Sequence, residues 1–408
     1  MKSFNVPSTY RSPLISAIKM RRKLDDKLKK DFSPTCLDFG NLKIYLARHF
    51  GFCYGVEHAI EIAFRTIEEN PEKRIFLLSE MIHNPFVNQD LLQKGVQFLM
   101  DTKGKQLIPL DTLTKDDIVL IPAFGTTLDI EEKLRTIGIA IEKYDTTCPF
   151  VEKVWNRAEQ IAEKGYSIVI HGKPIHEETR ATFSHSSIHT PTIVVNDIKE
   201  TMELAKYITG EKLIDGFYEE FKGRFSEGFD VSKDLKKFGV VNQTTMLASD
   251  TQEIADYLKQ IMIQKFNLND NNISEHFADT RDTLCYATND NQTAVTGMLR
   301  QTADFAIVVG GRNSSNTSHL VELCENKLKT FFIRSEEDII NAESLLHYNW
   351  RTKEESIIDN WRSQNNPCSI LITSGASCPD AIVEGVIRKL HATYASKVDF
   401  EKIAEVWI

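Results

Sequence analysis

From residue 43 onward one pattern recurs, and it limits what this 408-residue chain can fold into. A short apolar run ends in a small polar motif, and an amphipathic segment follows. The runs include "RIFLL", "DIVLIPA", "YSIVIHG", "PTIVV", "KFGVV", "FAIVVGG" and "SILITSG". Their lengths suit parallel strands buried on both faces. Segments such as "PFVEKVWNRAEQIAEKG" and "DAIVEGVIRKLHATY" space their apolar residues as helices do. Strand and helix signals in alternation predict an α/β architecture, and the length predicts two or three domains or lobes. In such folds ligands bind beyond the carboxyl ends of the strands, which is where the polar motifs of this chain fall.

Two stretches break the rhythm. Residues 1–30 carry nine Lys/Arg against two Asp, much of it in "KMRRKLDDKLKK". This reads as a solvated basic helix on a surface arm; the acidic pair Asp25-Asp26 weighs against a targeting peptide. Residues 208–236, charged and aromatic with several glycines, read as an excursion inserted on the surface. The expected plan is therefore a basic extension (1–42), a first α/β lobe (43–148), a second (149–280) carrying the 208–236 insertion, a third (281–395) and a tail (396–408). The strand in 43–52 is open to joining the third lobe.

Composition removes several function classes. A net charge of −9 argues against nucleic acid as the main partner. No uninterrupted apolar run is long enough to span a bilayer, and no signal peptide is visible, so a reducing, cytoplasmic setting is expected. The seven cysteines include no C-x-x-C pair. An odd number without a secretory signal disfavours a disulfide framework, and zinc-ribbon and thioredoxin readings fall away. Any metal site must be assembled from distant parts of the chain.

Three cysteines share one setting: Cys53 in "IYLARHFGFCYGVEHAI", Cys148 in "IEKYDTTCPFVEKVWNRAEQIA" and Cys285 in "HFADTRDTLCYATNDNQTAVTGML". A helix is expected directly after each, and an apolar run precedes the first two. Thr146-Thr147 precede Cys148, with Pro149 as a first-turn residue; Asp282 and Thr283 precede Cys285. A helix N-terminus favours a thiolate. One such cysteine per lobe would bring three thiolates to a common centre. A Cys₃His zinc site and an iron–sulfur cubane with one open iron both remain on the table. Cys36, Cys324, Cys368 and Cys378 lack the shared setting, and Cys324 on the apolar face of "HLVELCENKL" reads as a core residue.

The remaining strand-end motifs carry a coherent chemistry. They offer His83 and Asn84; His171, His176, Glu177, Glu178 and Thr182; Asn242, Gln243, Thr244 and Thr245; Ser314, Ser315 and Asn316; and Ser374, Ser377 and Asp380. Gly-Gly and Ser-Ser-Asn at a helix start suit an oxyanion, with histidines as further donors, so a phosphate or diphosphate is the natural guest. Two carboxylates beside His176 invite proton transfer. An iron–sulfur or zinc regulator is a rival reading, but no basic recognition helix occurs outside the N-terminal arm. A phosphatase-like hydrolase is another, but no acidic metal cluster is apparent.

The ordered motifs "GFCYGVEHAI", "HNPFV", "DTTCPFVEKV", "HEETRAT", "NQTT", "LCYATNDNQ", "GGRNSSNTSHL" and "TSGASCPDAIV" together resemble the 4-hydroxy-3-methylbut-2-enyl diphosphate reductase family, from about residue 43 to about residue 395. The resemblance implies three α/β lobes in a pseudo-three-fold arrangement around a central cavity. It implies that Cys53, Cys148 and Cys285 ligate a [4Fe-4S] cluster whose fourth iron takes substrate. It makes His83, His176, Ser314, Ser315, Asn316 and Ser377 diphosphate contacts, Glu178 the proton-delivering residue, and Thr244 a residue near the substrate hydroxyl. The implied reaction is reductive dehydroxylation, the last step of the non-mevalonate isoprenoid pathway, with a ferredoxin or flavodoxin as electron donor. In one departure, "PAFGTT" puts Phe124 where the family has a diphosphate-binding histidine, so either a neighbour such as Thr126 or Thr127 compensates or the clamp is weaker.

Overall fold

The computed structural model describes residues 4–278, 283 and 285–407; the sequence expectation for Asp282 falls outside them. The chain forms two compact units, one of Met1–Glu61, Ile82–Gln89 and Tyr286–Ile408, the other of Ile62–Met81 and Asp90–Cys285.

The first unit is built on a five-stranded sheet in the order Thr35–Asp38, Leu42–Leu46, Cys368–Ser374, Phe305–Val309, Thr330–Ile333. Only the first pair is antiparallel. In the parallel part Ile44 lies opposite Ile370, and Leu371 opposite Ala306. The strand Phe305–Val309 is buried at every position, as a strand covered on both faces must be. Leu320, Val321 and Cys324 of the helix Ser315–Glu325 and Val383, Val386 and Ile387 of the helix Asp380–Thr393 join its core.

So does the N-terminal segment, which corrects the expectation of a solvated arm. Ser12 accepts a hydrogen bond from the Ile15 N–H (2.9 Å), and Pro13 occupies the first turn. The resulting helix Pro13–Asp25 buries Leu14, Ile15 and Ile18 in the same core, and Phe4, Val6 and Tyr10 are buried ahead of it. The run of charge disguised a helix whose first half is apolar on one face.

The second unit holds two three-stranded parallel sheets. One runs Gln97–Phe98, Ile75–Leu77, Ile118–Leu120; the other runs Thr192–Val195, Ser167–His171, Phe238–Asn242. The architecture is thus mixed α/β with several parallel sheets, as the alternating pattern predicts. Among the described residues no helix is long and apolar enough to cross a membrane.

Residues 208–236 are not a surface excursion. Phe217, Phe221, Phe229, Val231 and Leu235 are buried in the core of the second sheet. The Phe217 ring lies 5.1 Å from Phe221, 5.4 Å from Tyr207 and 5.6 Å from Phe229, centroid to centroid. Backbone bonds from Val194 to the Arg224 carbonyl (2.8 Å) and from Ser226 to the Thr192 carbonyl (2.9 Å) cover the open edge of the strand Thr192–Val195. An uncovered edge is an invitation to non-native pairing, so this segment closes the sheet. Its charges and glycines hid the aromatic spacing. Phe217→Ala is expected to cost roughly 3–5 kcal/mol, the range for truncating a buried phenylalanine. A urea-denaturation midpoint within error of wild type would return the segment to the surface.

Candidate functional site

In the first unit the strand Leu42–Leu46 leads into a turn that ends on Cys53. Gly51 adopts φ +77°, and a Cβ there would run into Asp380 and Lys19, so the position requires glycine. The Cys53 N–H donates to the Ala376 carbonyl (3.2 Å), and its own carbonyl accepts from Glu57 N–H (3.0 Å). Cys53 therefore stands at the mouth of the helix Tyr54–Glu69 and is half-buried. Ala376 in turn donates to Asn316 Oδ1 (2.8 Å), which ties the Cys53 turn to the start of the helix Ser315–Glu325.

That helix start is the best-defined polar cradle of the unit. Ser314 caps it, its Oγ accepting from Thr317 N–H (3.2 Å). Ser315 and Asn316 are buried at its first turn. A Cβ on Gly310 or Gly375 would strike the Thr317 side chain, and one on Gly311 would strike the His83 carbonyl. The Ser377 hydroxyl donates to that same carbonyl (3.1 Å). Ser314, Ser315, Asn316, Ser377 and His83 are all buried and belong to one connected set. Asn316 Nδ2, by contrast, is buried with no hydrogen-bond partner. A buried donor left unpaired is costly, and at a helix N-terminus it is the group an anion would satisfy. Among the described residues the Thr373 hydroxyl is also buried without a partner near the end of the strand Cys368–Ser374.

In the second unit Cys148 is the N-cap residue of the helix Pro149–Ala162, with Pro149 in the first turn as expected. Its N–H donates to the Ala123 carbonyl (3.0 Å), and its carbonyl accepts from Val151 N–H (2.8 Å). The threonines before it are occupied locally: Thr146 Oγ1 donates to the Ile121 carbonyl (2.5 Å) and Thr147 Oγ1 to Asp145 (2.6 Å). Cys285 is buried and immediately precedes the helix Tyr286–Met298. Thr283, two residues earlier, donates to Asn242 Oδ1 (2.6 Å), which ties the Cys285 approach to the end of the strand Phe238–Asn242.

The acid–base candidates meet at the helix Glu177–Ser187. His176 is its N-cap, with Nδ1 accepting from Glu178 N–H (3.2 Å). A neutral ring that accepts at Nδ1 carries its proton on Nε2. Glu178, 1% exposed, accepts a short hydrogen bond from the Thr244 N–H. Glu177 points elsewhere and accepts from the Ser79 hydroxyl. The two adjacent carboxylates therefore have different partners. Gln243 braces the loop: its Oε1 accepts from Lys173 N–H (3.1 Å) and Thr179 Oγ1 (3.0 Å), and its Nε2 donates to Thr245 (2.6 Å). His171 is buried against the Thr251 hydroxyl (2.8 Å), and Thr182 accepts from the Trp155 indole N–H (3.1 Å), so both are structural here.

Phe124 lies edge-on to the His176 ring, centroids 5.6 Å apart and planes at 83°. It cannot donate to an anion, but it fixes the ring that can. Ser79 and Trp155 were not among the sequence candidates. Ser79 ends the apolar run "FLLS", a strand-end signal equivalent to those that were read.

The four other thiols behave differently. Cys324, Cys368 and Cys378 are fully buried; burial pushes the Cys324 thiol up to about 12 and Cys368 up to about 11, and raises Cys378 as well. Such groups stay protonated and inert. Cys36 lies exposed on the edge strand Thr35–Asp38. Among the described residues no group of three or more His, Cys, Asp or Glu is gathered as a single-ion site. Ser314→Ala is expected to lower stability by about 1 kcal/mol through loss of the cap. An unshifted urea midpoint would mean the Thr317 N–H finds another acceptor.

Comparison with known proteins identifies the family. The family model for the LytB protein matches residues 44–391. A 4-hydroxy-3-methylbut-2-enyl diphosphate reductase of Synechococcus sp. (strain CC9311) is 39% identical over 357 residues, covering 87% of this chain and 87% of that protein. The protein of the same name from Crocosphaera subtropica is 38% identical over 352 residues, covering 86% and 85%. A solved structure of (E)-4-hydroxy-3-methyl-but-2-enyl diphosphate reductase, the terminal enzyme of the non-mevalonate pathway, superposes with a TM-score of 0.52 at 24% identity, covering 86% of this chain and 99% of that one. The Plasmodium falciparum E-1-hydroxy-2-methyl-but-2-enyl-4-diphosphate reductase superposes at 0.61 and 23% identity, covering 85% and 87%, so the fold is shared. With the family model spanning most of its length, this chain belongs to the LytB family.

Proposed function

We propose that this chain removes the hydroxyl of (E)-4-hydroxy-3-methylbut-2-enyl diphosphate reductively, giving isopentenyl and dimethylallyl diphosphate in the last step of the non-mevalonate isoprenoid pathway. It is an oxidoreductase of its family, acting on a small diphosphate. Per turnover the allylic C–O bond breaks, a C–H bond forms, and water leaves with the input of two electrons and two protons.

Cys53, Cys148 and Cys285 are assigned as the ligands of a [4Fe-4S] cluster. The donor set fits: each thiol stands at the start of a helix of thirteen or more residues, where the positive end of the macrodipole favours a thiolate. When bound, the cluster supplies the electrons and an open iron that acts as a Lewis acid toward the leaving oxygen. A ferredoxin or flavodoxin is the assigned donor, in a reducing compartment such as the cytoplasm.

The diphosphate is assigned to Ser314, Ser315, Asn316 and Ser377 at the helix start, with His83 and His176 as further donors. The unpaired Asn316 Nδ2 supports this most directly. His176 contributes through Nε2–H, since Nδ1 is engaged by the Glu178 N–H. Holding the anion at fixed distance sets the hydroxymethyl end against the reacting centre. Phe124 replaces a donor by a wall, so the clamp relies on the oriented His176 ring.

Glu178 is assigned to proton delivery at the leaving hydroxyl, with Thr244 beside it. The short Thr244 N–H to Glu178 hydrogen bond is the observation that carries this reading. It fixes the carboxyl group at the strand end beside Thr244. Glu178→Gln is expected to keep cluster absorbance and substrate binding while turnover falls by about a hundredfold or more, the usual worth of a general acid. Undiminished turnover would remove Glu178 from the role. Cys148→Ser, reconstituted anaerobically with iron and sulfide, is expected to lose the visible absorbance of the cubane. An unchanged spectrum would count against its ligation.

A further inference from the structure

Resting on the reading of Cys53 as a cluster ligand, we propose that the N-terminal basic segment and the Cys53 turn together form the docking face for an acidic one-electron carrier protein. The two are walls of one cleft of about 460 Å³, lined by Lys19, Lys23, Lys27, Lys29, Arg48 and Cys53 itself. Five cationic side chains line one cleft of a protein whose net charge is −9. Acidic residues also line the cleft, and each has a partner. Glu57 pairs with Arg11 (2.6 Å), Asp290 with Lys29 (2.7 Å), and Asp26 accepts from Asp31 N–H (2.8 Å). Lys19 pairs with Asp380 (2.6 Å). Among the described residues Lys23 and Lys27 have no ion-pair partner, and both are exposed. They are the charges available to a visitor.

The outer face of the helix Pro13–Asp25 adds an apolar component. Met20 and Leu24, one turn apart, are 63% and 65% exposed, and Leu28 beyond the helix end is 75% exposed. Solvent-facing apolar residues flanked by unpaired lysines have the composition of a transient interface: a small apolar centre with a charged rim that steers the partner in. A small anion would use the lysines but has no use for this apolar row.

The cleft also answers what such a partner would do. Cys53 is among its lining residues, so a carrier seated on the lysines stands at the same cleft as a proposed cluster ligand. Each encounter oxidises one reduced carrier and passes one electron inward. Two encounters match the two electrons that, with two protons, convert the C–O bond to C–H and release water.

The test compares two reductants on cluster-loaded enzyme. Reduced methyl viologen needs no docking face; a purified acidic ferredoxin does. Lys23→Glu/Lys27→Glu is expected to raise the KM for ferredoxin about tenfold at low ionic strength, to flatten its salt dependence, and to leave methyl viologen turnover unchanged. Leu24→Ser is expected to raise the same KM without altering the salt dependence. An unchanged ferredoxin KM in the charge-reversal variant overturns the docking assignment alone. Absence of methyl viologen turnover in the wild-type holoenzyme overturns the reading of the site and the docking face with it.

Discussion

Unpaired backbone N–H groups at the starts of helices are the constraint on which the structure depends. A parallel sheet obliges each strand to hand over to a helix at its carboxyl end, and each such helix arrives with free donors and a positive dipole end. Cys53, His176 and Ser314 sit at such a handover, and Cys148 and Cys285 stand directly before helices of their own. Such ends favour negative charge, which is why the proposed thiolate and diphosphate sites are placed there. The apolar strands therefore do more than form a core. By being buried on both faces they fix where each helix begins, and so where each functional atom stands.

How each helix start is closed separates structure from function. At Ser314 the side chain caps its own helix, and Asn316 is left with a buried donor over. At His176 the imidazole does the capping through Nδ1, which places the proton of the neutral ring on Nε2. At Glu178 the cap is remote: Thr244 N–H, from a different strand end, supplies the hydrogen bond. The adjacent Glu177 is engaged instead by the Ser79 hydroxyl. Two neighbouring carboxylates on one helix turn are thus distinguished by their donors alone.

Strand-to-helix alternation and the polar motifs were legible in the sequence because both depend on local periodicity and local residue type. The strand ends at Asn242, Val309 and Ser374 fall where the apolar runs stop. What stayed hidden needed non-local information. Phe217, Phe221 and Phe229 lie in a segment whose glycines and charges read as surface, and only pairing with the edge of the strand Thr192–Val195 makes them core. Leu14, Ile15 and Ile18 were masked by the basic run that follows them. Cooperation between Phe124 and His176 was invisible for the same reason, since the two are far apart in the chain.

On the proposed reading, Phe124 stands where a clamp has given up one donor. Charge-assisted hydrogen bonds are strong only when their geometry is held, and a histidine free to swing spends part of its interaction energy on being ordered. An edge-on aromatic contact with a flanking ring is worth about 0.5–1.5 kcal/mol. That is comparable to the net worth of an ordinary hydrogen bond. Exchanging a second donor for a rigid wall can therefore leave anion affinity nearly level, provided the remaining donor is the one made rigid. His176 meets that condition on two sides, gripped through Nδ1 by the Glu178 N–H and across its ring by Phe124. The same grip ties the two residues proposed for anion binding and proton delivery, because the N–H that orients His176 belongs to Glu178.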